Sequence, residues 1–396
     1  MNFSRFGIYQ GYRPYQPSQT IRVNILHTTL SFEPGGRRQA IENLADGGNG
    51  TGFNSYLCCL NQTGCPREKI AARFEDHLEL NRRSLFGRRE RGVFRSFVRD
   101  NNIDLIHSHD GAALFFSSLF LLGDHRVKQI TTFHRSLGIE TATFKGKVRN
   151  ALALLRCNLV LTASEERRNH YIQENWVSPR KVRTIPLGID LSQFAYSAAG
   201  RNTIRIELGI PDSALVFGAI GHFGGEKGID IVIRAFLRYS RQEPGAHLLV
   251  VGTGSDSQID LIRSLVPAEG EDHSKTKVHF LGFRSDIGDV LSACDVFVHG
   301  ARQEAFGLVL AEALSNGKPV VATATGGAAQ ILNPDVGVIV PVDDVESMAD
   351  TLSDIASQPE IRAQMGASAV ERAQKEFSVQ SYAKVMTAVY SEVLEN

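Results

Sequence analysis

The sequence predicts an α/β protein of two doubly wound parallel sheets, and three observations carry that expectation. Short apolar runs alternate with longer helix-like segments along most of the chain, a βα rhythm. Runs such as LLVV (248–251) and DVFV (295–298) are apolar at successive positions, as strands covered by helices on both faces are. The length of 396 residues suits two domains of about 100–200 residues each. With 42% hydrophobic and 22% charged residues the composition is globular, which excludes collagen-like, disordered and disulfide-scaffold classes.

Strands are expected in the first half at 21–27, 54–60, 103–108, 129–133, 159–163 and 182–185. In the second half they are expected at 215–221, 247–251, 277–281, 296–298, 319–322 and 336–340. The first twenty residues, with Tyr9, Tyr12, Pro14, Tyr15 and Pro17 among polar residues, read as a flexible tail without the apolar core of a signal peptide. Pro186-Leu-Gly-Ile-Asp-Leu and the polar residues after it read as a linker, so the domains run 21–190 and 191–380, with a final helix over 381–396. In open α/β sheets ligands sit beyond the carboxyl ends of the strands, so two such domains are expected to face a central cleft.

Charge divides at the same place. Residues 1–190 carry 27 basic and 17 acidic side chains, net +10, and residues 191–396 carry 16 and 26, net −10. The asymmetry points to an anionic partner on the first half. Five cysteines without a CxxC pair suit a reducing compartment. The longest apolar stretch, 112–122, is too short to span a bilayer, which needs about 20 residues.

The densest chemical signal is Glu304-Ala-Phe-Gly-Leu-Val-Leu-Ala-Glu312, read as the entrance of a helix running to Asn316 and stopped by Gly317. Eight helical steps would place the carboxylates about 80° and roughly 12 Å apart, able to hold two ends of one extended ligand. The amides of Phe306, Gly307 and Leu308 at the helix mouth would meet an anion. Gly218-Ala-Ile-Gly-His-Phe-Gly-Gly-Glu-Lys-Gly228 is a strand running into a glycine-rich turn, where Gly225, its neighbours and Lys227 suit a diphosphate. It is neither GxGxxG nor a Walker motif. Further turns follow strands at Gly252-Thr-Gly254, Gly282-Phe283-Arg284 and Gly326-Gly327. Gly35 and Gly36 precede a helix expected over 37–45. His109 and His134 end strands, and no third ligand is spaced to join them in a metal site. Arg82, Arg83, Arg88, Arg89, Arg91, Arg95 and Arg99 form a basic amphipathic segment, with Phe86, Val93, Phe97 and Val98 opposite, fit for an anionic membrane surface.

At these residues the sequence resembles the family 4 glycosyltransferases, retaining enzymes of the GT-B fold, and within them the bacterial surface-polysaccharide type. The resemblance covers nearly all of 21–396. It is most specific from Ala293-Cys-Asp-Val-Phe-Val through Glu304-x7-Glu312 to Gly317-Lys-Pro-Val-Val and Gly326-Gly327. Supporting matches are Glu226-Lys227-Gly228, Val-Gly252-Thr-Gly254, Phe280-Leu-Gly-Phe and Ile103-Asp-Leu-Ile-His-Ser-His109.

The resemblance implies two Rossmann-like domains, with the last helix crossing back to the first. It implies metal-independent sugar transfer without a cofactor, from a nucleotide-diphosphate sugar to a glycan or lipid-linked acceptor, in surface polysaccharide or glycolipid synthesis. Nucleic acid is not an implied partner; the expected location is cytoplasmic, peripheral at the inner membrane face. Glu304 would meet the donor sugar, Glu312 the ribose, Lys227 the diphosphate, and the backbone at Phe283 and Arg284 the base. Phe306, Gly307 and Leu308 would offer amides, Gly35 and Gly36 would add theirs, and His134 and His109 would line the acceptor side. The sequence departs from the family at His222, where arginine is usual, which removes half the diphosphate clamp unless Arg302 or Arg37 replaces it. An epimerase of the same fold and a catalytically silent binding subunit are the alternative functions.

Overall fold

Every strand pair in the computed structural model is parallel. The structure describes residues 22–33, 35–48, 52–61, 64–65, 67–81, 87–134, 144–175, 177–266 and 277–395. The first sheet contains β1 (Val23–Thr29), β2 (Phe53–Cys59), β3 (His77–Glu79), β4 (Leu105–Ser108), β5 (Lys128–Phe133), β6 (Leu159–Thr162) and β7 (Val182–Thr184), in the order 3-2-1-4-5-6-7. The second contains β8 (Val216–Ile220), β9 (His247–Val251), β10 (Lys277–Gly282), β11 (Val296–His299), β12 (Val320–Thr323) and β13 (Gly337–Val340), in the order 10-9-8-11-12-13.

All twelve expected strands are present within a few residues. The structure adds β3, whose three residues, bounded by charge, leave no periodic signal. The apolar runs form strands because both sheet faces are covered: all five residues of β9 are buried. In each sheet the strand order reverses once, between β1 and β4 and between β8 and β11. At such a switch point the loops diverge to opposite faces and leave a crevice at the carboxyl ends.

The chain divides into two compact units, residues up to Ile189 together with Glu376 onward, and Asp190–Lys375. The second unit buries its own core, including Phe217, Ile231, Phe236, Leu248, Val298 and Leu352. In the first unit the C-terminal helix Val379–Glu395 buries Tyr382, Ala383, Met386, Val389, Tyr390 and Val393, a single stripe at helical spacing. Gly47 permits its approach, since a Cβ there would lie 2.5 Å from the Val379 carbonyl oxygen. Ile189 donates its amide to the Phe377 carbonyl (2.7 Å) and accepts from Val379 (3.0 Å), so the outgoing and returning segments are paired side by side. Among the described residues no helix is long and apolar enough to cross a membrane.

The basic segment differs from its expected form. Its helix is Arg88–Asp100; it buries Phe94 and Val98, while Val93 is 43% exposed. The apolar stripe is therefore centred about one residue later than the wheel placed it. Arg82, Arg83 and Phe86 lie outside the described residues, as do the tail and Pro34.

Candidate functional site

In the second unit, the loops leaving β8 and β11 meet at the switch point. Gly228 adopts the left-handed conformation (φ 58°), and a Cβ on it would lie 1.8 Å from the Gly300 carbonyl oxygen. Only glycine tolerates both the angle and the approach. The Glu226 carbonyl accepts from the amides of Arg302 (2.8 Å) and Gln303 (3.2 Å), tying the two loops together. This contact carries Lys227 to Glu304: the ammonium donates to Glu304 Oε2 at 2.7 Å.

Glu304 is also held from behind. The Gly327 amide donates to its carbonyl (3.1 Å), and Gly327 leaves room for the Phe306 carbonyl, which a Cβ would approach to 2.4 Å. His299 Nε2, at the buried end of β11, lies 3.4 Å from the carboxylate. Burial alone would raise the Glu304 pKa, but His299 and Lys227 overcome it and hold the carboxyl down at about 2.

The helix itself begins later than its sequence suggests. It runs Leu308–Ser315 with Gly307 (φ 86°) as its cap, so Glu304 stands in the preceding loop. The expected angle and rise between the two carboxylates therefore do not apply, because only Glu312 is on the helix. Phe306, Gly307 and Leu308 form the helix entrance, where first-turn amides have no intrahelical acceptor. Glu312 has no ion-pair partner among the described residues, and desolvation pushes its carboxyl up to about 7. Phe283 is 81% exposed at the end of β10, next to Arg284, whose side chain binds Glu207 (2.7 Å) and Asp286 (2.6 Å). Gly254 follows β9 on the same edge.

The first unit has its own switch-point cluster. Parallel pairing aligns His27 of β1 with His107 of β4, and His109 follows two residues later on the same face. His27 Nδ1 lies 3.1 Å from His109 Nε2, and His109 Nδ1 lies 3.0 Å from His134 Nε2. No third ligand is spaced in sequence to join His109 and His134; strand register instead brings His27 and His107, remote in sequence, beside His109. Nitrogens of His27, His107 and His109 lie within 4.8 Å of one another. Both His107 nitrogens are engaged, however, by Tyr390 Oη (2.9 Å) and Thr132 Oγ1 (2.7 Å). The cluster as it stands is a hydrogen-bonded one. Sequence inspection missed His27, a single histidine inside an apolar strand; pairing with the Ile-His-Ser-His strand was the only available signal.

Two family descriptions match the chain in tandem: "Glycosyltransferase Family 4" over residues 34–193 and "Glycosyl transferases group 1" over 200–372. The chain belongs to glycosyltransferase family 4. A D-inositol 3-phosphate glycosyltransferase of Saccharomonospora viridis is 34% identical over 224 residues, 55% of this chain and 51% of that protein, so the chain spans about half that relative's length. An N-acetyl-alpha-D-glucosaminyl L-malate synthase of Bacillus anthracis is 26% identical over 74% of this chain and 76% of its own length. Among solved structures, Anabaena Alr3699/HepE in complex with UDP has a TM-score of 0.81 at 20% identity, covering 94% of this chain and all of that one. The same protein with UDP-glucose gives 0.79 at 22% identity, with the same coverage. These likenesses establish the GT-B fold.

Set against the family pattern, the position of the missing arginine is filled by a constrained ring: His222 Nδ1 accepts from the Gly224 amide at 3.0 Å. The proposed substitutes are committed elsewhere. Arg302 binds Asp230 through two nitrogens (2.9 and 2.8 Å), Asp343 (2.7 Å) and the Gly225 carbonyl (2.7 Å). Arg37 donates to Ser31 and lies 3.5 Å from Asp110. Gly35 (φ 146°) and Gly36 stand at the start of the helix Gly36–Gly48, in the first unit.

Arg91 and Arg95 are not a free basic face. Both donate to the Phe120 carbonyl (3.2 and 2.8 Å) and the Leu122 carbonyl (3.1 and 2.8 Å), satisfying the end of the helix Gly111–Phe120. A helix C-terminus attracts cations, which is why two arginines settle there. Arg88 is exposed.

Proposed function

We propose that this chain is a retaining glycosyltransferase that moves a sugar from a nucleoside-diphosphate sugar to a glycan or lipid-linked acceptor in cell-surface polysaccharide or glycolipid synthesis. The observation that carries this reading is the Lys227–Glu304 pair, 2.7 Å apart at the switch point of the second sheet and beside a helix entrance. The two groups neutralise each other. A donor would draw Lys227 to its diphosphate and release Glu304 to accept from sugar hydroxyls.

As the glycosidic bond breaks, negative charge grows on the diphosphate. Lys227 and the amides of Phe306, Gly307 and Leu308 meet it without reorganising, the kind of preorganised stabilisation in which one donor contributes about 3–4 kcal/mol. No step of this scheme uses a metal or a cofactor. Glu312 accepts from the ribose, the backbone at Phe283 and Arg284 meets the base, Gly225 and Gly254 admit the donor, and His134 and His109 serve the acceptor side. UDP and UDP-glucose are named with the Anabaena structures, which supports a nucleotide sugar as donor class.

The direct test is thermal stabilisation by a panel of UDP-, GDP-, ADP- and TDP-sugars. A bound donor raises stability in proportion to the logarithm of its concentration over its Kd. One responsive base, followed by donor hydrolysis or transfer, supports the reading; no response across the panel refutes it. The constrained His222 favours one second reading, a binding subunit with weakened donor affinity. That subunit would respond weakly and hydrolyse nothing. Association with an anionic cytoplasmic membrane face is the accompanying proposal, supported by the net charge of +10 on residues 1–190.

A further inference from the structure

Behind the Lys227–Glu304 pair stands a third ionisable group. His299, the last residue of β11, has its Nε2 3.4 Å from Glu304 Oε2, the same oxygen that Lys227 meets at 2.7 Å. That nitrogen is buried and has no hydrogen-bond partner among the described residues. The three side chains form a gradient from the open side inward, Lys227 being 29% exposed, Glu304 10% and His299 3%. Lys227 stands in a loop and can turn outward. His299 is fixed in a strand whose four residues are all buried.

Among the described residues, Glu304 is the one acid at ion-pair distance from His299. Strand β12 sets Ala322 opposite it and bonds its carbonyl through Thr323 Oγ1 (3.4 Å), and neither β12 nor β8 contains an ionisable residue. The loop after β8 carries His222, Glu226 and Lys227. The helix Ile229–Ser240 carries Asp230, which Arg302 holds through two nitrogens, Arg234, which is exposed, and Arg238, which pairs with Glu346. The helix Leu308–Ser315 carries Glu312. While Lys227 holds Glu304, a proton on His299 would put two cations on one carboxylate. Once the ammonium leaves, the buried carboxylate has no cation except the one that His299 can become. An uncompensated buried charge is costly, and a neighbouring carboxylate favours the charged imidazole.

We propose that His299 is a positioning residue that takes up a proton as a nucleotide sugar draws Lys227 away, and so remains as the counter-charge that keeps Glu304 ionised and in place for the sugar. The part concerning the donor rests on the function proposed above; the exchange of cations on Glu304 does not. The proton comes from bulk solvent and goes to the ring nitrogen that lacks one, and no bond to the substrate is made or broken by it. An ionised Glu304 is acceptor-only, which is what sugar hydroxyls need of it. If the carboxylate took the proton instead, part of that capacity would be lost.

Two measurements on the full chain test this. The first needs no donor: long-range proton–nitrogen spectra of protein carrying 15N-labelled histidine, at pH 7, report which ring nitrogens are protonated. His299 is expected to carry one proton in wild type and two in Lys227→Ala, with His299→Leu identifying its signals and His299→Gln replacing that variant if it does not fold. Two protons in wild type, or one in Lys227→Ala, overturn the proposal. The second is calorimetry with UDP-glucose, or with whichever UDP-, GDP-, ADP- or TDP-sugar stabilises the protein, at pH 8 in buffers of different ionisation enthalpy. This reads the protons taken up per donor bound. Glu312, raised to about 7, is mostly ionised at that pH and contributes little. Wild type is expected to take up about half a proton or more in excess of the His299 variant. Equal uptake by the two overturns the proposal. If no sugar of the panel binds, the proposed function falls, and the spectra still decide whether His299 replaces Lys227 on Glu304.

Discussion

Replacing Lys227 by alanine removes an ammonium that donates at 2.7 Å to a carboxylate whose side chain is 10% exposed. The carboxyl of Glu304 is held at about 2 against an ordinary 4.5. At about 1.4 kcal/mol per unit this is a net stabilisation of the charged form by about 3 kcal/mol, after burial has already opposed it. His299 and Lys227 share that stabilisation, so the alanine variant is expected to lose about 1–2 kcal/mol of folding stability at pH 7 by denaturant titration. The sign follows from the depressed pKa. The contribution of Glu304 is complete above pH 4.5 and is lost as pH falls through about 2, so wild type and variant converge in acid. Turnover should fall further than stability does, by at least about a hundredfold, because a donor to the leaving group is lost as well. Glu304→Ala should fall equally. If the two act as one unit, the double variant is no slower than the slower single one. Near-normal turnover in either single variant, or losses that simply multiply, would refute the assignment.

Three further outcomes are expected. Glu312, raised to about 7 by desolvation, makes the folded state less stable as pH rises from 4.5 through 7; Glu312→Gln should therefore be more stable than wild type at pH 8 and no different at pH 4, while losing donor affinity at pH 8 in calorimetry. Gly228→Ala meets both a φ of 58° and a carbonyl oxygen 1.8 Å from the new Cβ, so denaturant unfolding should register a loss of at least about 2 kcal/mol, with donor-dependent stabilisation abolished. Arg91→Ala and Arg95→Ala should each cost about 1 kcal/mol through the carbonyls of Phe120 and Leu122, whereas Arg88→Ala should leave stability unchanged and weaken sedimentation with anionic liposomes. Sedimentation that is independent of lipid charge would remove the membrane proposal.

The strand sites, the two-sheet architecture and the residues around Glu304 were legible from local pattern, since buried parallel strands are written as continuous apolar runs and glycine-rich turns follow them. Legibility stopped where the deciding contact was not local. Whether Glu304 belonged to the helix depended on Gly307 taking the left-handed conformation, so that the helix starts only at Leu308, beyond the carboxylate. The arginine row read as a lipid-facing surface because the wheel records only one helix. The carbonyls that Arg91 and Arg95 satisfy belong to another helix, some 25–31 residues away. His222 was visible as a departure, but the occupation of Arg302 by Asp230 and Asp343 was not, because those acids are 72 and 41 residues distant.

The amino-acid order by itself determined the α/β class, the family and the types of group available to a donor, because each rests on short-range periodicity or on motif spacing. Tertiary structure alone decided which groups meet. The Gly228–Gly300 approach brought Lys227 to Glu304, and the β1–β4 register brought His27 to His109. Both depend on strands distant in sequence becoming neighbours at a switch point, where a contact is set by sheet order, a property that no window of adjacent residues contains.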